Sequence, residues 1–470
     1  MDPLLTCSAI ELAQKIRRRE VSSREVVDVH IRHVEKVNPT LNAMVAHRFD
    51  EAREEARAAD RQLDAGAADL APFHGVPCSI KESFALTGMP FTSGLVARRG
   101  TIAERDAVAV ARLRKAGAIP LGVTNTSELC MWMESNNRVY GLSNNPYDPR
   151  RTVGGSSGGE GAIVGAGGTP FGLGADIGGS IRMPAFFNGV FGHKPTGGLV
   201  DNGGQYPLPA EAALRYITTG PIARRAEDLA PLLRVLADGD IGDPAAVDIA
   251  SLDVISVEDD GRVGVSDDLR RAQEDAARAL EARGARVRKA KVAAFARSIE
   301  IWSAMLDAAG GPSFSSMLGN GQEVAAAREL VRFALGRSPY TLPSIALALL
   351  EKVPKLLPQH GTRFLSLGAA LKQELRDMLG TRGVMLYPSH ARPAPVHHRS
   401  LFRPWNWGYT AILNVMELPV TQVPLGLNAK GVPLGVQVAA IHGNDHVSIA
   451  AALALEKAFG GWVPPRLARS

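Results

Sequence analysis

Cysteine is scarce in this chain: Cys7, Cys78 and Cys130 are the only three among 470 residues. They are too few and too scattered for a disulfide framework or a cysteine-rich metal site, and they suit a reducing compartment. Long hydrophobic runs are missing as well. No stretch reaches the roughly 18 apolar residues of a membrane-spanning helix. The opening residues, MDPLLTCSAIELAQKIRRRE, lack the charged-then-apolar order of a signal peptide, so a cytoplasmic location is expected. Charge of one sign is not concentrated either, since 53 basic and 48 acidic residues leave a formal net charge of +5. The nearest basic clusters, Arg17-Arg18-Arg19 and Arg150-Arg151, carry no interleaved aromatics. They read as solvated surface, and no nucleic-acid partner is expected.

What is present is 45% hydrophobic residues in an ordinary soluble balance, patterned as short apolar runs between amphipathic stretches. Ser8-Ala-Ile-Glu11 and Ser22-Ser-Arg-Glu25 each read as a capping box opening a helix, and further helices are predicted over about 50–64, 107–116 and 267–284. Strands are predicted at Val76–Ile80, 118–123, 285–287, Val384–Tyr387 and Val420–Leu425, the last turning through Asn428–Gly431 into Val432–Val438 as a hairpin. Strands alternating with helices argue for a layered α/β sheet. The most polar region is 238–300. With no internal repeat and no low-complexity linker, one large domain is favoured over several.

The segment 153–184 holds three serines, Ser156, Ser157 and Ser180, among twelve glycines, and no histidine. A phosphate loop would need a lysine after the glycines, and the dinucleotide fingerprint fails where Val164 fills its third glycine position. Gly154-Gly-Ser156-Ser-Gly158 satisfies the nucleophile-elbow pattern, with His390, His397, His398, His442 and His446 available downstream. However, the loop-like NPYDPRR before it offers no strand to lead in, and the elbow ignores the second cluster, Asp176-Ile-Gly-Gly-Ser180-Ile-Arg182. Those histidines also lack metal-site clustering: His397 and His398 are adjacent, and His442-x-x-x-His446 has no glutamate beside it. The remaining reading joins Lys81, at a strand end, to Ser156 and Ser180. A neutral lysine activates a serine as a histidine does, when a relay connects them. The glycines let consecutive backbone N–H groups converge on one point, and Ile177, Gly178, Gly179 and Ser180 offer four such donors for an oxyanion hole.

GGSSGG, then 24 residues from Ser156 to Ser180, then GGSIRxPA, GxKPT (Gly192 to Thr196) and GVPxxxKE around Lys81 resemble the amidase signature family. The match covers nearly the whole chain and is most specific over 75–200. GGEGA (Gly158 to Ala162), YTLPSIALALLEK (Tyr340 to Lys352), MLYPSH (Met385 to His390) and LPVTQVPLGLNAKGVPLGVQV (Leu418 to Val438) are most similar to its fatty-acid amide hydrolase branch, of the type 2-like kind. The resemblance implies an α/β/α sandwich with a large mixed, twisted central sheet, a single domain over 1–470 and a catalytic core at about 70–220. It implies Ser180 as acylated nucleophile, Ser156 as bridging serine on a cis peptide, Lys81 as base and 177–180 as oxyanion hole, with no metal or organic cofactor. Ser157 is expected to support its loop, and Asp176 and Arg182 to brace the nucleophile turn as an ion pair. Two positions depart from the usual pattern: Val153 replaces a common proline, and Ala175 a threonine whose hydroxyl is thereby lost.

A free lysine titrates near pH 10.4, so keeping one neutral at pH 7 costs roughly 4.6 kcal/mol. Burial must offset most of that. Lys81 is therefore expected to be buried with no acidic partner close by, and Glu82 to point to the opposite face of its strand. The resemblance places Cys130, Met131, Trp132 and Met133 at the acyl pocket, with Trp405 and Trp407 as further pocket residues, and makes 337–358 a hydrophobic cap over the entrance, with at most peripheral membrane contact. The function implied is a serine hydrolase that cleaves C–N bonds of small-molecule amides with hydrophobic acyl or aryl groups, carbamates and esters included. The alternative is the amidase component of a tRNA-dependent amidotransferase. GGEGA, in place of the serine-alanine run usual there, counts against it. A catalytically dead scaffold is opposed by intact Lys81, Ser156 and Ser180. The sequence leaves the oligomeric state open, although resembling enzymes are commonly homodimers.

Overall fold

A computed structural model describes residues 1–67, 69–351 and 358–469. The apolar runs become eleven strands of one sheet, β1 (Met44–His47), β2 (Pro77–Lys81), β3 (Ile119–Thr124), β4 (Phe171–Asp176), β5 (Phe191–Lys194), β6 (Thr218–Ala223), β7 (Asp253–Ser256), β8 (Arg286–Lys289), β9 (Gly383–Tyr387), β10 (Val420–Leu427) and β11 (Pro433–Ala440). Their order across the sheet is β1-β3-β2-β4-β6-β5-β10-β11-β9-β7-β8. β2 is parallel to β3 and β4, the run from β4 through β6, β5, β10 and β11 to β9 is antiparallel, and β7 is parallel to both β9 and β8. Parallel neighbours need crossover connections, which lay helices on the faces of this mixed sheet.

Side chains alternate between the faces of a strand, and β9 shows what each face meets. Val384 and Leu386 pack with Ala276 and Leu280 of the helix Asp267–Glu281 and with Val447 and Ala451 of the helix Asp445–Phe459. Met385 and Tyr387 pack on the other side with Trp302 of the helix Ser298–Ala308, Leu371 and Leu375 of the helix Pro358–Leu379, and Ile412 of the helix Gly408–Val415. Both faces are dry, so the strand reads as an unbroken apolar run, and the α/β/α layering expected from the sequence is present. The polar stretch 238–300 supplies β7 and β8 at one edge of the sheet, where the charged RVRK of β8 leaves little for a further strand to pair with.

Local signals resolve as expected except at the second of the two capping boxes, which is only half formed. Ser8 and Glu11 form a full capping box at the helix Ala9–Arg17, whereas Ser22 caps the helix Ser23–Leu41 through the Glu25 amide. β10 and β11 form the antiparallel hairpin. For the site, the useful pairing is β2 with β4: parallel neighbours in the sheet interior carry Lys81 and Asp176, each the last residue of its strand, to the same carboxyl end of the sheet.

Candidate active site

Lys81 is 1% exposed, and its Nζ donates to Ser156 Oγ at 2.7 Å. The Gly155–Ser156 peptide is cis. Ser135 holds this loop from two sides: its Oγ donates to Ser156 O at 3.0 Å and accepts from the Gly158 amide at 2.9 Å. Ser157 supports the loop as expected, its amide donating to Ser180 O at 3.2 Å and its hydroxyl to Ala175 O at 3.3 Å. The two glycine-rich loops are thus brought together. Among the described residues, however, no hydrogen bond joins Ser156 Oγ to Ser180 Oγ, so of the expected relay only the Lys81–Ser156 contact is made. No histidine bonds to either serine among the described residues, and the elbow reading therefore lacks its base. Of its candidates, His390, His397 and His442 are engaged by backbone carbonyls.

The expectation that no acid lies near Lys81 needs correction. Glu82 does turn away, its buried carboxylate accepting from Thr92, Ser93 and Tyr140. Glu160 approaches instead from the helix Gly158–Gly165, close enough for the lysine's charge to act on it, though the two form no ion pair. It is fully buried and accepts from Ser79 Oγ at 2.6 Å and Thr124 Oγ1 at 2.7 Å. Burial outweighs those bonds and the pull of Lys81, pushing its carboxyl up to about 8. Near neutral pH this side chain is mostly an uncharged acid, which gives a neighbouring lysine little counter-charge.

The loop 177–180, expected to form an oxyanion hole, differs from that expectation at one residue. The Gly179 amide donates to Asp176 Oδ1 at 2.6 Å and is already occupied. The amides of Ile177, Gly178 and Ser180 find no protein acceptor among the described residues, so three of the four expected donors are free. Asp176 captures Gly179 because it also takes the Ile181 amide at 3.0 Å and pairs with Arg182 at 3.0 Å, both side chains being fully buried. Burial alone would raise the Asp176 carboxyl, but the Arg182 guanidinium outweighs it and holds it well below the usual carboxylate range. The predicted brace is present.

Ser180 opens on a narrow cavity of about 20 Å3. Cys130, Met131, Trp132 and Met133 line it, as expected, together with Ile177 and Gly178. Gly155, Met183 and Trp407 complete its wall. Trp405 does not line the cavity; it stands 45% exposed under the Arg262 guanidinium, 3.9 Å from the ring centroid. The helix Leu342–Leu350, within the segment expected to form a cap, is tied to the pocket loop through Glu128 Oε2, which accepts the Thr341 amide at 2.9 Å. Lys352 and Lys355 of the predicted cap lie outside the described residues. Sequence reasoning missed Ser135, Glu160 and Met183. Only Glu160 left a readable sign, as the one acidic residue in GGSSGGEGA.

The amidase family model matches residues 25–448. Fatty-acid amide hydrolase 2 of Homo sapiens is 48% identical to this chain over 484 residues, covering 99% of this chain and 91% of that protein. A glutamyl-tRNA(Gln) amidotransferase component of Corynebacterium diphtheriae is 39% identical, but over 56% of this chain and 52% of that one. Among solved structures, 6-aminohexanoate cyclic dimer hydrolase superposes with a TM-score of 0.82 at 26% identity, covering 99% of this chain and 100% of that one. With the family model spanning most of the chain and the similarity to fatty-acid amide hydrolase 2 nearly full length, this chain belongs to the amidase signature family of amide hydrolases.

Proposed function

We propose that the chain is a free-standing serine amidase for amides with hydrophobic acyl or aryl groups, with carbamates and esters as further substrates, acting through a Lys81–Ser156–Ser180 relay. The observation that carries the reading is the buried 2.7 Å contact from Lys81 Nζ to Ser156 Oγ, beside a loop whose Ile177, Gly178 and Ser180 amides are unspent. As a neutral amine, Lys81 takes the Ser156 proton while Ser156 takes that of Ser180, and Ser180 Oγ attacks the carbonyl carbon. The second link must close on binding, an adjustment that catalytic hydrogen bonds commonly make. The three free amides hold the developing oxyanion. Ser156 then delivers its proton to the departing nitrogen, and water releases the acyl group by the reverse path. Delivery to nitrogen matters because an amine leaves poorly without it. The thioether and indole walls of the pocket form an adaptable apolar surface suited to such acyl groups, and the cap helix above it supports peripheral contact with lipid.

The amidotransferase reading has the partial likeness to the Corynebacterium diphtheriae protein in its favour. An acyl p-nitroanilide and, separately, glutamine distinguish the two. Anilide turnover with inert glutamine is expected, and glutamine turnover without anilide hydrolysis would overturn the proposal. A fluorophosphonate adduct, mapped by mass spectrometry, is expected on Ser180; an adduct on Ser156 would restore the elbow.

A further inference from the structure

The carbonyls behind the oxyanion loop are held by groups that lie far along the chain from the glycine-rich core. Trp302 donates its indole N–H to Ile177 O at 2.8 Å. Trp407 donates its own to Gly178 O at 2.6 Å, and Thr410 Oγ1 donates to the same oxygen at 2.7 Å. The indoles meet edge to face with centroids 4.5 Å apart, and Thr410 is fully buried. The loop fits this contact only as glycine: a Cβ on Gly178 would lie 2.7 Å from Trp407 Nε1, and one on Gly179 would overlap the Thr410 side chain.

A trans peptide unit is planar, so its C=O and N–H point in opposite directions. Anchoring Ile177 O therefore aims the Gly178 N–H, which has no protein acceptor among the described residues. Anchoring Gly178 O aims the Gly179 N–H, and that group meets Asp176. The next plane is held by the Met183 amide, which donates to Gly179 O at 2.8 Å, so that with the first two planes fixed the chain presents the Ser180 N–H as a second free amide. We propose that Trp302, Trp407 and Thr410 are positioning residues that set the oxyanion hole, an inference that rests on the reading of Ser180 as nucleophile. A turn containing two glycines has unusual freedom to rotate its peptide planes. Donors that must reorganise at the transition state lose much of their value. Trp407 also walls the acyl pocket, so an acyl group seated on its ring loads the side chain that holds Gly178.

The test compares Trp302→Phe and Thr410→Val, which remove a donor and keep most of the shape, with Thr410→Ser, which keeps the hydroxyl. Each is measured for kcat and KM on an acyl p-nitroanilide and for inhibition by a trifluoromethyl ketone that forms a tetrahedral adduct. We expect Trp302→Phe and Thr410→Val to lower kcat about tenfold with KM nearly constant, below the ~10²–10³ lost on deleting an oxyanion donor outright. Ketone affinity should fall by the factor lost in kcat/KM, and Thr410→Ser should recover most of the rate. Folded variants that keep both kcat and ketone affinity within about twofold of the parent would overturn the clamp. Fluorophosphonate labelling of the parent separates the two readings. Absence of a Ser180 adduct removes the nucleophile assignment and the clamp with it, whereas a labelled parent beside unaffected variants removes the clamp alone.

Discussion

At the residue scale the proposed relay depends on a single buried amine. Replacing it by a chain of similar length without nitrogen, Lys81→Met, leaves Ser156 with no base, and general-base catalysis contributes about 10²–10⁴-fold. Anilide turnover in a folded Lys81→Met protein should fall by that range, and a loss below about fivefold would show that Ser156 is primed by something else. Glu160 gives a second expectation. Its folded carboxyl titrates at about 8 against an ordinary value of 4.5, so between those values the folded state holds a proton that the unfolded state has released. The contribution is complete below about pH 4.5 and is lost as pH rises toward 8. Glu160→Gln cannot ionise, so urea midpoints measured from pH 5 to 8 should decline less in the variant than in the parent; parallel curves would count against a protonated Glu160. The meeting of Lys81 with Ser156 was legible because their motifs sit at fixed spacings. The influence of Glu160 was not, because Ser79 and Thr124 reach it from 81 and 36 residues away, and a carboxyl in a glycine run reads from sequence as an ordinary first-turn acid.

At the scale of elements, the strands and helices followed from hydrophobic pattern, and both packed faces of the sheet from apolar runs without alternation. The glycines were only partly legible. Their expected use was to free backbone amides, and Gly178 fits that use, but others serve close packing. A Cβ on Gly161 would lie 2.7 Å from Asn188 Nδ2 and 2.8 Å from Pro184 O, and one on Gly165 2.7 Å from Asn188 O. The helix Gly158–Gly165 can therefore approach the helix Arg182–Phe187, which follows the Ser180 turn, only because two residues four apart carry no side chain. Backbone yields less readily than a side chain, so Gly161→Ala should cost roughly 1–3 kcal/mol as an overpacked contact. Urea denaturation measures it, and a change below about 0.5 kcal/mol would mean that the two helices separate freely. Periodicity marks which face a helix buries; it does not state how near the neighbour comes, and so the sequence could not assign these glycines to packing.

On the scale of the whole molecule, the question is how an apolar substrate of the proposed kind would reach the cavity beside Ser180. No helix among the described residues is long and apolar enough to cross a membrane. Yet Val331, Leu335 and Leu350 are each more than 60% exposed, on or directly beside the packed helices Ala326–Ala334 and Leu342–Leu350, with the exposed cations Arg328 and Arg337 nearby. An apolar face flanked by cations suits the interface of an anionic bilayer, and the Thr341–Glu128 bond ties this face to the loop that walls the pocket. The protein should therefore sediment with anionic vesicles, and the double change Val331→Glu and Leu335→Glu should release it. Neither residue touches the cavity, so turnover of a water-soluble anilide should stay within about twofold of the parent while hydrolysis of a long-chain amide presented in vesicles falls several-fold. Equal losses on both substrates would place the damage in the fold, and a parent protein that stays in the supernatant would remove the lipid route, leaving the cap as a lid that soluble substrates pass beneath.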